Sequence, residues 1–214
     1  MLGVKAAAAL LMILAPALIL GACGSDRDVT PTDIEWASAD YYPVYSAYLE
    51  HWLENHWEVE AFVVDSSIGG EPVLQDPRFL EHFHRAIAQG EFAGMDPSLA
   101  ETFVEVGQRT ETLREEFTAS VPVTVAHLGD PWSFFQPVES EFNYEALPVF
   151  YETFPGARGI TQFSHVAFDE AHTSALVCSG FACGYLCGNG YCAYLEQDSE
   201  GAWTVVSTGH HGVS

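Results

Sequence analysis

Four of the five cysteines in this 214-residue chain lie within one fifteen-residue run, CSGFACGYLCGNGYC, residues 178–192. Thiols spaced this closely can form disulfides, bind a soft metal ion or carry out dithiol redox chemistry. The compartment decides between these chemistries, because disulfides persist where the surroundings are oxidising. The N-terminal segment therefore has to be interpreted before the cysteines.

Residues 1–22 have the layout of a secretory signal peptide. Lys5 supplies a positive charge, and the apolar run AAAALLMILAPALIL follows it. The run is short and contains Pro16, which disfavours a membrane span. It leads into the sequence LGAC, which resembles the bacterial lipobox, where the cysteine is acylated and becomes the new N-terminus. The alternative is an ordinary signal peptide cleaved nearby.

The lipobox resemblance implies that Cys23 carries acyl chains, so the lipid bilayer is the first expected partner. Gly24 rather than Asp follows the cysteine, and by the same resemblance this favours the outer membrane in an organism with two membranes. Residues 23–33 are polar and contain proline, which predicts a flexible tether. We expect residues 34–214 to form a single globular domain.

The chain is strongly acidic, with 30 Asp and Glu residues against seven Lys and Arg and a formal net charge of −23. Lys5 is the only lysine, so removal of the signal peptide leaves six arginines. Such a surface repels phosphate backbones, which excludes nucleic acid as an expected partner. An acidic surface keeps an extracytoplasmic protein soluble, and it also fits a protein from a salt-adapted organism.

Helical patterns dominate the first half. Aromatic and aliphatic residues recur at helical spacing after Asp40, and two later segments open with Asp followed by Pro, at Asp76 and Asp96, as helix starts do. We expect the helix after Asp96 to continue through a stripe that includes Leu113 and Phe117. The run YEALPVFYETF predicts a further short helix, and WSFF precedes it.

Strand patterns occur at 58–67 and 121–128 and then dominate from Gly159 to the C-terminus. The later ones are GITQFSHVAF, TSALVC, YCAYLEQ and AWTVVS, separated by short turns at 169–172 and at DSEG. Helices followed by consecutive strands predict an α+β fold. In this fold the N-terminal helices pack on a C-terminal antiparallel β-meander with a disulfide-stapled hairpin.

The cysteine spacing is symmetric about Tyr185. A hairpin centred there places Cys178 opposite Cys192 and Cys183 opposite Cys187, each pair within reach of a disulfide. We predict this nested pairing. A tight turn at Asn189 and Gly190 would instead pair Cys187 with Cys192 and Cys178 with Cys183, and this alternative stays open because sequence alone does not fix connectivity.

The segments FSHVAF, ALVC and CGYLCGNGYCAYLEQDSEGAW together resemble the C-terminal part of a family of uncharacterised bacterial secreted proteins and lipoproteins. The shared features are Phe163, Ser164 and Val166, the loop 183–188, and the Gly201 to Trp203 turn. The resemblance covers about fifty residues. It implies that Cys183 and Cys187 are a family pair and that Cys178 and Cys192 are an added one, and it implies no activity.

Metal binding is the main alternative use of these cysteines. Zinc sites usually contain Cys-x-x-Cys pairs, but successive cysteines here are separated by four, three and four residues. Copper(I) prefers soft thiolates, and Cys183 with Cys187 resembles the pair of some envelope copper chaperones, with His165 or His172 as a third ligand. We therefore expect no resident metal and no cofactor, and keep copper or zinc handling as the alternative.

Other candidate residues do not form a recognisable catalytic set. The DEAH run at 169–172 lacks a phosphate-binding loop and is interpreted as a turn. Ser164 next to His165 has no acid partner identifiable from sequence. Histidines near helix ends and at the tail are interpreted as solvated; they are His51, His56, His82, His84, His210 and His211. We expect no catalytic residue and a binding or structural module of unknown ligand, with a hydrolase as the third possibility.

Overall fold

The computed structural model describes residues 34–55, 59–69, 77–128, 146–184 and 187–213. The helices are α1 (Tyr41–Asn55), α2 (Pro77–Ala88), α3 (Ser98–Val106) and α4 (Ala146–Thr153). The strands are β1 (Phe62–Asp65), β2 (Ser67–Ile68), β3 (Glu111–Thr112), β4 (Val123–Ala126), β5 (Ile160–Phe163), β6 (Ala167–Phe168), β7 (Ser174–Gly184), β8 (Cys187–Gln197) and β9 (Trp203–Val213).

Several predictions fall on other residues. The signal peptide, Cys23 and the tether lie outside the described residues, as do Asp76, Tyr185 and the WSFF segment. The chain from Ile34 to Ser214 forms one compact unit. In the described part of that unit, no helix has the length and apolar character needed to cross a membrane.

The main sheet is mixed, with the strand order β4-β1-β5-β7-β8-β9, and β6 pairs with β7. Strands β7, β8 and β9 form the predicted antiparallel meander, which confirms the α+β class. Strand β1 runs parallel to both β4 and β5, an arrangement that the sequence patterns did not indicate. A separate antiparallel pair joins β2 to β3.

Helix α1 covers one face of the meander with a row of buried aromatic residues. Tyr42, Tyr45 and Tyr48 bury their rings and hydrogen-bond their hydroxyl groups, as buried tyrosines usually do. The Tyr45 hydroxyl donates to the carbonyl of Ser164 at 2.7 Å, and the Tyr45 ring stacks on Phe163 with centroids 4.3 Å apart. The Tyr42 hydroxyl accepts the Arg114 amide at 2.7 Å.

Helices α2 and α3 cover the opposite face. Because side chains alternate along a strand, Ala175 and Val177 of β7 pack on the α1 side while Leu176 and Cys178 pack on the α2 and α3 side. The long hairpin is therefore the middle layer of three. Phe83 belongs to the same core cluster as Leu176 and Cys178.

The prediction that α3 continues through Leu113 and Phe117 is wrong. The helix ends at Val106 and is followed by Gly107, a residue with low helix propensity. The chain then crosses to the other side of the sheet, where Leu113 and Phe117 pack against the α1 core. The start is as predicted, since the Asp96 carboxylate accepts the Ser98 amide at 2.9 Å.

Candidate functional site

The four clustered cysteines form two nested disulfides, Cys178–Cys192 and Cys183–Cys187. Cys178 lies directly opposite Cys192 in the β7–β8 ladder. The alternative turn at Asn189 and Gly190 is wrong, because both residues pair across the ladder, with Phe181 and Gly180 respectively. The symmetric prediction is confirmed.

The two disulfides have different surroundings. Cys178 and Cys192 are buried in the core beneath α2 and α3, where the bond staples the middle layer of the domain. Cys187, at the far end of the hairpin, is exposed. Disulfide sulfur atoms are not thiolates, so in this state neither pair offers the ligands that Cu(I) prefers.

The histidines proposed as additional ligands lie elsewhere. His165 is fully buried, and His172 stacks on Phe168 in the turn after β6 with centroids 4.8 Å apart. Within the described ranges, no group of three or more His, Cys, Asp or Glu side chains could hold a metal ion.

The remaining sequence candidates are dispersed. His82 and His84 are exposed on α2, and His210 is exposed on β9. The DEAH run is a turn that Asp169 stabilises by accepting the Thr173 amide at 2.7 Å and the Ser174 amide at 3.0 Å. Burial acts to raise the pKa of Asp169, but these hydrogen bonds outweigh burial and lower the pKa overall.

A pocket opens between α1 and the sheet in the described part of the chain. Its empty volume is about 320 Å³, a figure that includes solvent space at the open mouth. It is lined by Tyr48, Leu49, Trp52, Phe62, Thr161, Ser179, Phe181, Asn189 and Tyr191. The elements that contribute are α1, β1, β5, β7 and β8.

Aromatic rings form the walls of this pocket. The Trp52 and Tyr191 centroids are 4.6 Å apart with their planes at 60°, and those of Tyr48 and Trp52 are 5.9 Å apart at 47°. The hydroxyl groups of Tyr48 and Ser179 hydrogen-bond to each other. Burial raises the pKa of Tyr48, so this phenol stays neutral.

A second candidate site, which is polar, lies at the carboxyl ends of the parallel strands. Ligands commonly bind at this edge of an open sheet. Asp65 ends β1 and is fully buried. Its carboxylate accepts the Ser67 amide at 3.0 Å and is 3.4 Å from the Gln162 amide nitrogen. Next to it, Ser66 Oγ and His127 Nδ1 are 2.9 Å apart. Burial raises the pKa of Asp65, and the hydrogen bonds partly offset this.

The same end of the domain contains a buried acid and base, Glu111 and His165. The Nε2 atom of His165 is 3.8 Å from Glu111 Oε1, too far for a hydrogen bond. Burial, reinforced by the positive charge of Arg109, lowers the pKa of His165 to about 4, so the imidazole is neutral at pH 7 and the contact is not an ion pair. Burial raises the pKa of Glu111.

Glu111 is thus an acid next to His165, which sequence reasoning could not identify because 54 positions separate them. Ser164 does not use that histidine as a base. Its hydroxyl donates to the backbone carbonyl of His165 at 2.8 Å and accepts the Cys178 amide at 2.8 Å. Ser164 therefore joins β5 to β7 and is not poised as a nucleophile.

Sequence reasoning missed both sites for identifiable reasons. Tyr48 and Trp52 fit the buried stripe of α1, and Asn189 drew notice only as part of the alternative turn. Ser66 offered a usable signal, because a polar pair directly after the apolar run FVV indicates the end of a buried strand. Comparison with family models, with curated proteins and with solved structures finds no match for this chain.

Proposed function

We propose that this chain is a lipid-anchored binding protein of the bacterial cell envelope, and that its domain binds a small molecule in the pocket between α1 and the sheet. The pocket is the observation that carries the proposal. Its walls are mainly aromatic, with a few hydroxyl and amide groups, as in small-molecule sites generally. The nested disulfides support a location in the cell envelope, because disulfides persist in oxidising compartments. They also join β7 to β8, two of the strands that form the pocket wall.

The lipid anchor is supported by the lipobox-like sequence that ends at Cys23. Acyl chains at this position would hold the domain at a membrane surface without spanning it. We propose the outer membrane as the destination in an organism with two membranes, on the basis of Gly24. The substitution Cys23→Ala is expected to move the protein from the membrane fraction to the soluble fraction and to remove acyl mass from its N-terminal peptide. Equal membrane retention of both proteins would contradict the anchor.

Ligand binding can be tested on the full chain, purified in a maltoside detergent, by following its thermal unfolding midpoint with a panel of small molecules. A pocket ligand present at 100 times its Kd would add about 2.7 kcal/mol to the free energy of unfolding. Tyr191→Leu removes one wall of the pocket, and the stabilisation should be lost in this variant. Tyr191→Phe keeps the ring and should retain it. A panel without any Tyr191-dependent ligand would contradict the proposal.

Ester hydrolysis is the second candidate function, favoured by the 2.9 Å contact of Ser66 Oγ with His127 Nδ1 beside buried Asp65. In this reaction Ser66 Oγ would bond to the carbonyl carbon as its proton passes to His127. The alcohol would then leave with that proton, and water would release the acyl group.

A fluorophosphonate probe tests this candidate directly. The Ser66 oxygen would bond to phosphorus, fluoride would leave, and His127 would take the hydroxyl proton. We expect labelling that Ser66→Ala abolishes and that the neighbouring control Ser67→Ala preserves. Labelling that is absent, or that persists in Ser66→Ala, would exclude Ser66 as the nucleophile.

A further inference from the structure

The lining of the α1 pocket restricts the charge of its ligand. None of the described residues that line it is Asp, Glu, Lys or Arg. A carboxylate or phosphate would meet no cation there, which makes its desolvation costly. A primary ammonium group would bring three N–H donors without a carboxylate to receive them. The remaining ligands are neutral groups and cations that carry no N–H donors.

The aromatic walls favour a cation over a neutral group. The face of an aromatic ring is electronegative, and a cation within about 6 Å of the ring centroid is attracted to it. Trp52 and Tyr191 have planes inclined at 60° with centroids 4.6 Å apart, and Tyr48 adds a third ring next to Trp52. Trp52 and Tyr191 pack edge to face on each other, so a rounded group in the pocket would contact the ring surfaces that this packing leaves open.

The charge of the whole chain acts in the same direction. A formal net charge of −23 raises the local concentration of cations and lowers that of anions around the domain. The enclosed part of the pocket is smaller than its whole empty volume, which includes open solvent, and this limits the bound group to a small one. A quaternary ammonium group is small, rounded and apolar at its surface, and it needs no hydrogen-bond acceptor.

We propose that this pocket binds the quaternary ammonium group of a small cation, an inference that rests on the proposed function and specifies its ligand class. The methyl groups of such a ligand would contact Trp52 and Tyr191. The side chains of Asn189 and Thr161, which also line the pocket, would be available to a polar substituent of the ligand.

The test compares choline with 3,3-dimethylbutan-1-ol, which has the same shape but carries carbon in place of the charged nitrogen. Both are titrated calorimetrically into the full chain in maltoside detergent, at equal ionic strength. We expect choline to bind at least tenfold more tightly, because only the cation gains from the aromatic faces. Comparable or tighter binding of the alcohol would overturn the inference and leave the proposed binding function intact.

Variants assign the effect to the pocket. Tyr191→Leu should weaken choline binding at least tenfold, and Tyr191→Phe should stay within about twofold of wild type, since it keeps the ring. The matched control is Tyr151→Leu, which removes a tyrosine that is 42% exposed on α4 and does not line the pocket. It should leave choline binding unchanged.

A loss in Tyr151→Leu equal to that in Tyr191→Leu would overturn the assignment to the pocket. Absence of binding by both choline and the alcohol would overturn the inference. The broader panel of ligands decides the proposed function separately, because it also contains neutral and anionic molecules.

Discussion

At the scale of single residues, His165 is an ionisable group held in the interior of the described chain. It is fully buried, and neither ring nitrogen has a hydrogen-bond partner among the residues that the structure describes. A β-carbon at Gly69 would lie 2.3 Å from its ring, so the backbone of Gly69 packs directly on the imidazole. Water has no room on that side, and the charged form of the ring is strongly disfavoured.

This burial predicts a stability loss in mild acid. The folded-state pKa of His165 is about 4, against 6.5 for an unperturbed histidine, so between these values the unfolded chain binds the proton and the folded chain does not. The free energy of unfolding therefore falls as pH decreases from about 6.5 to 4, by roughly 3 kcal/mol from this residue alone. Urea unfolding at pH 7 and pH 4.5 measures the loss.

The raised pKa values of Asp65 and Glu111 stabilise the folded state as the pH falls, which opposes the effect of His165. The contribution of His165 is therefore obtained by comparing wild type with a variant that lacks this histidine. His165→Gln removes its titration and should lose less stability than wild type over the same interval. His84→Gln removes an exposed histidine of α2 and serves as the control. Identical pH dependence in wild type and His165→Gln would show that His165 is not the responsible group.

At the scale of secondary-structure elements, the β7–β8 hairpin depends on its two disulfides to different extents. The outer bond closes a loop of about fifteen residues and the inner bond a loop of about five, which corresponds to roughly 3 and 2 kcal/mol on a loop-entropy estimate. Cys178 and Cys192 are also buried at 3% and 0% exposure, so their replacement by alanine adds a packing loss.

The double variant Cys178→Ala/Cys192→Ala should therefore lose more stability than Cys183→Ala/Cys187→Ala. The expected loss is at least about 3 kcal/mol for the first and about 2 kcal/mol for the second. Chemical denaturation of both proteins under oxidising conditions measures the difference. A greater loss in the inner-pair variant would mean that the exposed end of the hairpin, rather than its core, limits stability.

Gly159 is required where β5 approaches β7. A β-carbon there would lie 2.3 Å from the Ala182 carbonyl oxygen and 2.6 Å from the Phe181 ring. We expect Gly159→Ala to lower the free energy of unfolding by about 2 kcal/mol or more, because the backbone at Ala182 would have to move. Gly94→Ala is the comparison, since that glycine faces open space but has φ +91°, and its cost should be about 1 kcal/mol. Equal losses on denaturation would contradict the steric argument.

The elements differ in how far their sequences predicted them. The hairpin register followed from the cysteine spacing, because two covalent pairs with a common centre admit few arrangements. The stripe containing Leu113 and Phe117 fitted a helix because periodicity does not reveal that Gly107 ends it. The parallel pairing of β1 with β4 could not be derived, because their contact depends on how the intervening segments fold back. The pocket, assembled from five elements, depends on all of these contacts together.

At the scale of the whole molecule, the dominant property is the excess of negative charge. Thirty acidic residues are opposed by seven basic ones, so most carboxylates repel other carboxylates. The ion pair Arg114–Glu116, at 3.7 Å, is half-exposed and contributes little. Folding brings the acidic residues closer together, and the folded state is therefore the one that self-repulsion penalises.

Salt should therefore stabilise the folded protein at neutral pH. The Debye length falls from about 30 Å at 0.01 M salt to about 10 Å at 0.1 M, so most of the repulsion is screened below about 0.5 M. We expect the free energy of unfolding at pH 7 to rise by on the order of 1 kcal/mol over this range. Urea unfolding in a series of sodium chloride concentrations measures it.

The same series near pH 4.4, the isoelectric point expected from the sequence, distinguishes screening from other effects of salt. There the net charge approaches zero, so repulsion is small and the dependence on salt should largely disappear. A rise of equal size at both pH values, continuing linearly above 0.5 M, would instead indicate exclusion of the salt from the protein surface. The acidic composition would then not be what makes the stability of the domain depend on salt.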